Sequence, residues 1–373
     1  MPPDHRPRQR ALSIGTVMID IITVIADKDI ELMTLRNMTS SFLMLEQGRK
    51  VESESIETFI GGGAANTAVC MRRLGLDVSI LALVGQDLNG RKIRDRLQQE
   101  QIDLSYLATV TEAGSGIAVH ISSHDRNAAI FTHRGANCRL TADHVEAVDF
   151  SAYDLVYVTN LSNESADQYP LIIARAAQAG CFISSNPGIR QLTKRPRDFL
   201  DCLDAVSLLS INRDECAALV PHLLSSGQPP TAKNPAPDDD MPPLLATGFQ
   251  IAGFSLGLMD CMKILAGHGP DYVVITDGGQ GAYLLHRDQL YYCPPQEAEM
   301  QGSAGAGDCF SSTLSRLICA GESPDGALLA AALNAASVIS RVDTQSGLLS
   351  GDALDQILAG KDIEKEIRRW TTA

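Results

Sequence analysis

Short apolar runs recur along the chain, separated by segments whose apolar positions follow helical spacing. The runs at 12–16, 78–84, 154–159, 181–185, 205–211 and 272–276 are too short for helices and too uniformly apolar to have a wet face. Each predicts a strand buried on both sides. Between them, 64–74, 89–100, 165–179, 249–266 and 309–319 predict helices. Strand and helix in alternation predict an α/β protein, a mostly parallel sheet covered by helices on both faces. Two stretches break the alternation, 21–59 and 113–134, and within the second 116–122 and 128–133 read as the two strands of a hairpin. They predict a second, smaller sheet. The expected core is then 11–20, 60–112 and 135–373. Residues 225–243, rich in Pro, Asp and Ser and without period, predict a mobile surface insertion inside that core. No internal repeat is present.

Composition adds limits to this picture. A chain of 373 residues, 45% hydrophobic and 20% charged, has enough apolar material for one large α/β domain. The formal charge of -14 argues against nucleic acid, whose non-specific affinity rests on Lys and Arg. It does not exclude a phosphorylated ligand, because backbone N–H groups and a metal ion can build that site. Nine scattered cysteines, none spaced C-x-x-C, indicate neither a disulfide framework nor a zinc knuckle and fit a reducing cytoplasm. The apolar stretch 11–26 could imitate a signal peptide, but Asp20 interrupts it and a buried first strand explains it better. No later run reaches the roughly 18 apolar residues of a spanning helix, so no membrane partner is expected.

The segment richest in chemistry is Gly302-Ser303-Ala304-Gly305-Ala306-Gly307-Asp308-Cys309-Phe310, small residues followed by a carboxylate and a helical pattern. Gly305, Ala306 and Gly307 at a helix N-terminus would aim unpaired N–H groups at one point, where the helix dipole also favours an anion. Asp308 in the first turn would stand where it can accept a proton from an attacking hydroxyl. Taken alone, the segment also admits a plain helix cap behind a tight turn.

In context, residues 303–310 resemble the C-terminal signature of the ribokinase-like (PfkB) family, D-T-x-G-A-G-D-x-F, whose second Asp is the catalytic base. A second signature is matched by Phe59-Ile60-Gly61-Gly62-Gly63-Ala64-Ala65-Asn66, followed by Arg73-Leu74-Gly75 and Leu83 to Gly90. The family's G-x-x-x-x-D is Gly15 to Asp20, its N-x-x-E is Asn212 to Glu215, and its T-x-G-x-x-G is Thr276 to Gly281. Arg134-Gly135-Ala136-Asn137 and Asn186-Pro187-Gly188 are further matches, and the resemblance runs from Leu12 to about Gly347.

The resemblance implies a three-layer α/β/α sandwich with a small β lid at 21–59 and 113–134, and an ATP- and magnesium-dependent kinase of a sugar or sugar-like hydroxyl. It implies Asp308 as base, Gly305, Ala306 and Gly307 as anion hole, and Asp20, Gly62 and Asn66 on the acceptor's hydroxyls. Asn212 and Glu215 would organise magnesium, largely through water; Thr276, Gly278, Gly281 and Asn334 would line the ATP site. In several relatives the lid also forms a dimer contact, so the resemblance allows a homodimer through it. Residue by residue, plainer readings stand beside these: Asp20 as a strand-end residue, Asn66 as a helix-start residue, Asn212 and Glu215 as a capping box, and Asn334 as a satisfied core polar group.

Two departures matter. Gly302 replaces the signature's first Asp, which in ribokinase-type members helps hold a monovalent cation, so weak or absent potassium activation is expected. Thr313 stands where Gly is usual. The competing functions are a nucleoside kinase of the same family, a ligand sensor on this fold without turnover, and a dinucleotide-binding oxidoreductase, for which the G-x-G-x-x-G layout is missing.

Overall fold

The computed structural model describes residues 9–25, 31–34, 41–44, 48, 50–122, 129–225, 241–251 and 254–371. A ten-stranded sheet forms its middle layer. Seven parallel strands run in the order Leu107–Val110, Asp77–Gly85, Arg10–Ile14, Leu155–Val158, Phe182–Ser185, Leu208–Asn212 and Tyr272–Thr276. Three antiparallel strands, Ala282–His286, Gln289–Cys293 and Arg368–Thr371, finish one edge. Alternate side chains of each strand enter cores on opposite faces. Leu12 and Ile14 pack on one side with Ile211 and Ile275, while Ala11, Ile80 and Tyr157 pack on the other with helix Gly63–Arg73.

Two helices lie close against the sheet because small residues meet there. Ser13 bonds Thr67 across 2.7 Å, Ser184 bonds Ser315 across 2.6 Å, and Ser210 bonds Ser311 across 2.7 Å, all buried. Paired hydroxyls satisfy each other at these three contacts. The same serines anchor helix Ala306–Cys319 over the middle of the sheet.

A second, four-stranded sheet has the order Ser53–Gly61, Met18–Ile25, Gly116–Ser122, Ala129–His133. It takes in Met18, Ile19 and Asp20, so Asp20 belongs to this sheet instead of extending the first core strand. Glu31–Thr34 and Ser41–Met44 pair as a separate hairpin. Asn137 fixes the crossing from core to small sheet: its Oδ1 accepts from Val17 N at 2.9 Å and its Nδ2 donates to Val17 O at 2.8 Å.

One predicted helix is corrected. Residues 249–266 divide into a hairpin, Phe249–Ile251 with Phe254–Leu256, and a helix, Leu258–Gly267. The sequence Phe249-Gln250-Ile251 and Phe254-Ser255-Leu256 alternates with strand period, and Gly248, at φ +60°, turns the chain into it. The predicted helix 165–179 likewise begins as a 3-10 turn, Asn163–Gln168, before the α-helix Tyr169–Gln178, whose second residue is Pro170. The insertion predicted at 225–243 falls mostly outside the described residues. Among the described residues no helix is long and apolar enough to cross a membrane.

Candidate active site

Strand Arg10–Ile14 is the topological switch of the sheet, flanked by Asp77–Gly85 on one side and Leu155–Val158 on the other. Ligands of open α/β sheets gather at the carboxyl ends beside such a point. The chain leaves this strand through Gly15, where a Cβ would lie 2.1 Å from Thr159 Oγ1. It then packs against the Gly61-Gly62-Gly63 turn: Ala64 N donates to Thr16 O at 3.0 Å and Gly63 N to Thr16 Oγ1 at 3.2 Å. Gly62, at φ +94°, has Thr16 O only 2.6 Å from where its Cβ would be. Two backbones can cross so closely only without side chains.

Beyond that turn, helix Gly63–Arg73 carries Asn66 in its first turn. The Asn66 Nδ2 donates to Asp308 Oδ2 at 2.8 Å. Its Oδ1 accepts from Thr344 Oγ1 at 2.8 Å and from Gln345 Nε2 at 3.3 Å. Two donors on the carbonyl side fix which way the amide faces, so the N–H edge points at Asp308. Thr344 and Gln345 are functional neighbours that the sequence reading missed. Their only signal was the polar run Arg341 to Ser346 directly after an apolar helix.

Asp308 sits in the first turn of helix Ala306–Cys319, with Gly305 before it in the left-handed region at φ +78° and no side chain capping the helix. A Cβ on Gly305 would come 2.7 Å from Thr344 Cβ. The first N–H groups of a 14-residue helix are thus open beside a carboxylate. Burial pushes Asp308 above the usual carboxylate range; the Asn66 bond opposes this and the nearby Asp20 charge reinforces it. Asp20 is 5% exposed, and its Oδ2 rests on the bare face of Gly61, 1.9 Å from where a Cβ would be.

Asn212 ends its strand in register with Thr276 on the next. Asn212 N donates to Glu215 Oε2 and Glu215 N to Asn212 Oδ1, both at 2.9 Å, a reciprocal capping box at the start of helix Arg213–Ser225. Burial, Asp308 and Asp214 push Glu215 up to about 7 against the cap bond from Asn212. Thr276 leads into Gly278, at φ +52°, and Gly281, at φ +92°, where a Cβ would meet Cys293 O at 2.3 Å. Between them Asp277 pairs with Arg213 at 3.5 Å.

Asn334 does not join this constellation. It is 0% exposed in helix Pro324–Ile339, donating to Thr313 Oγ1 at 2.9 Å and accepting from Leu349 N at 3.0 Å. Its amide is hydrogen-bonded inside the core, as a satisfied core polar group would be. Thr313, the residue in place of a usual Gly, is its partner.

A mostly parallel sheet with a switch point, an open helix N-terminus and a flanking carboxylate match the arrangement expected of the ribokinase-like fold. The comparisons place the fold there too. A nucleoside kinase of Burkholderia thailandensis in complex with inosine covers 94% of this chain and 98% of its own at a TM-score of 0.69 and 17% identity. An Arabidopsis thaliana ribokinase complexed with ribose and ATP covers 95% and 99% at a TM-score of 0.68 and 17% identity. The pfkB family carbohydrate kinase profile matches residues 12–242 and 244–350. A Klebsiella pneumoniae fructokinase is 27% identical over 71% of this chain and 78% of its own length, and a Bacillus subtilis ribokinase 23% identical over 84% and 92%. The chain belongs to the PfkB family of carbohydrate kinases. It is accordingly an ATP-dependent phosphotransferase.

Proposed function

We propose that the chain transfers the terminal phosphoryl group of ATP to a hydroxyl, most simply a primary alcohol, of a sugar or sugar-like molecule. The observation that carries this reading is the Asn66–Asp308 bond of 2.8 Å at an uncapped helix N-terminus. Asp308 is the general base: an aspartate takes the hydroxyl proton as the new O–P bond forms, and its raised pKa makes it a better acceptor. Asn66 holds the carboxylate and offers its amide to the acceptor together with Asp20 and Gly62. Gly305, Ala306 and Gly307 supply the N–H groups that meet charge on the transferring phosphoryl. Thr276, Gly278 and Gly281 line the nucleotide side.

Asn212 and Glu215 fit magnesium. Hard oxygen donors suit it, and the crowding of Glu215 by Asp308 and Asp214 is charge that a dication relieves. When bound, the ion neutralises phosphate charge. Gly302 in place of the signature Asp removes the carboxylate for a monovalent cation, which supports weak potassium dependence. The four-stranded sheet, which itself carries Asp20 and Gly61, serves as a lid that excludes water.

Release of ADP with Mg-ATP across sugars, sugar acids and nucleosides tests the reading. Acceptor-dependent turnover should drop by about 10²- to 10⁴-fold in Asp308→Asn, with acceptor KM changed far less. Unchanged turnover in that variant would refute the assigned base. ATP binding without turnover on any acceptor would favour a sensor.

A further inference from the structure

His120 lies on strand Gly116–Ser122, in register with Ile22, while Asp20 is in register with Ala118. Residues in register share a face and every second residue returns to it, so His120 stands one row beyond Asp20 on the same face, and the Asp20 charge reaches Asp308. His120 is 9% exposed. Its Nε2 has no hydrogen-bond partner among the described residues, and the nearest charge, Asp20 Oδ1, is 3.7 Å away. That gap is too wide for a hydrogen bond. A buried ring nitrogen facing a buried carboxylate across it is an unfinished pair, and leaving such groups unmet is destabilising.

We infer that His120 is a specificity-determining residue whose missing partner is the same acceptor hydroxyl that Asp20 binds. A hydroxyl is at once donor and acceptor. It donates to the Asp20 carboxylate and accepts from His120 Nε2–H, the imidazole holding its proton on Nε2. A C–H at that position fills neither role and leaves both groups buried and unpaired. The site therefore selects acceptors bearing a hydroxyl there and rejects the corresponding deoxy compound. Asp20 alone cannot do this as sharply, since a carboxylate demands only a donor. This assignment rests on the kinase reading and extends it to acceptor choice.

The test is steady-state kinetics of wild type, His120→Ala and His120→Gln on an accepted sugar and on each of its monodeoxy counterparts that keeps the phosphorylated hydroxyl, with melting curves of all three proteins. Wild type should prefer the parent over one counterpart by about 100-fold or more in kcat/KM, because a site built around a hydroxyl discriminates strongly against its loss. His120→Ala should raise KM for the parent at least about tenfold, far more than it lowers kcat, and erase most of that preference. His120→Gln, which restores an N–H donor, should recover part of it. Equal effects on the parent and every counterpart, or none, would overturn the role of His120 while leaving the kinase reading intact. Wild type that phosphorylates no acceptor would overturn both.

Discussion

Glu215 offers a measurement of the charge stored at the site that needs no substrate. Its carboxyl is raised from an ordinary 4.5 to about 7, first by burial and then by Asp308 and Asp214. The folded state therefore holds a proton on Glu215 where the unfolded chain has lost it. The stability this contributes is complete below about pH 4.5 and is lost as pH rises through about 7. The gap corresponds to about 3 kcal/mol as a ceiling, and to about 2 kcal/mol after screening at a partly exposed group. Glu215→Gln removes the titration yet keeps the capping box, because Gln at this position also reaches back to the Asn212 N–H. Urea unfolding at about pH 5 and about pH 8, without divalent ions, should show the variant gaining about 2 kcal/mol on wild type across the interval. Adding magnesium at the higher pH should return most of that difference to wild type and little to the variant. Parallel stability curves for the two proteins would refute the burial argument. A magnesium effect of equal size in both would refute Glu215 as part of the ion's surroundings.

Gly305→Ala should lower both stability and turnover, because φ +78° and the 2.7 Å approach to Thr344 leave no room for a methyl group. A loss of about 1–3 kcal/mol in urea unfolding is expected, and a variant as stable as wild type would count against the tight loop. Asn334→Ala should cost about 1–3 kcal/mol by orphaning Leu349 N–H and Thr313, with the KM for ATP unchanged. A large rise in that KM would restore Asn334 to the nucleotide site.

How much of this was readable beforehand follows from the range of each interaction. The buried strands announce themselves because a strand covered on both faces must be almost wholly apolar, and 78–84 and 272–276 each carry one aliphatic hydroxyl residue, Ser79 and Thr276, among apolar ones. The run 249–256 was misread because its alternation is only three residues long on each side and a helical continuation follows. Gly62 and Gly305 are local signals: both sit at positive φ, and a Cβ would meet Thr16 and Val17 backbone at the first and Thr344 at the second. The Asn66–Asp308 bond is different, since it joins residues 242 positions apart and no spacing rule encodes it. Only the family resemblance suggested that the two belong together. Thr344 and Gln345 had no such help: they act by fixing the Asn66 amide, a role that exists only once helix Pro324–Ile339 has delivered its trailing loop to the glycine turn. Asn334 shows the opposite case, because its side chain bonds Thr313, a position in the signature helix where this chain exchanges the usual Gly for a hydroxyl. A polar residue assigned by resemblance is thus only as secure as the neighbours that would have to leave it free.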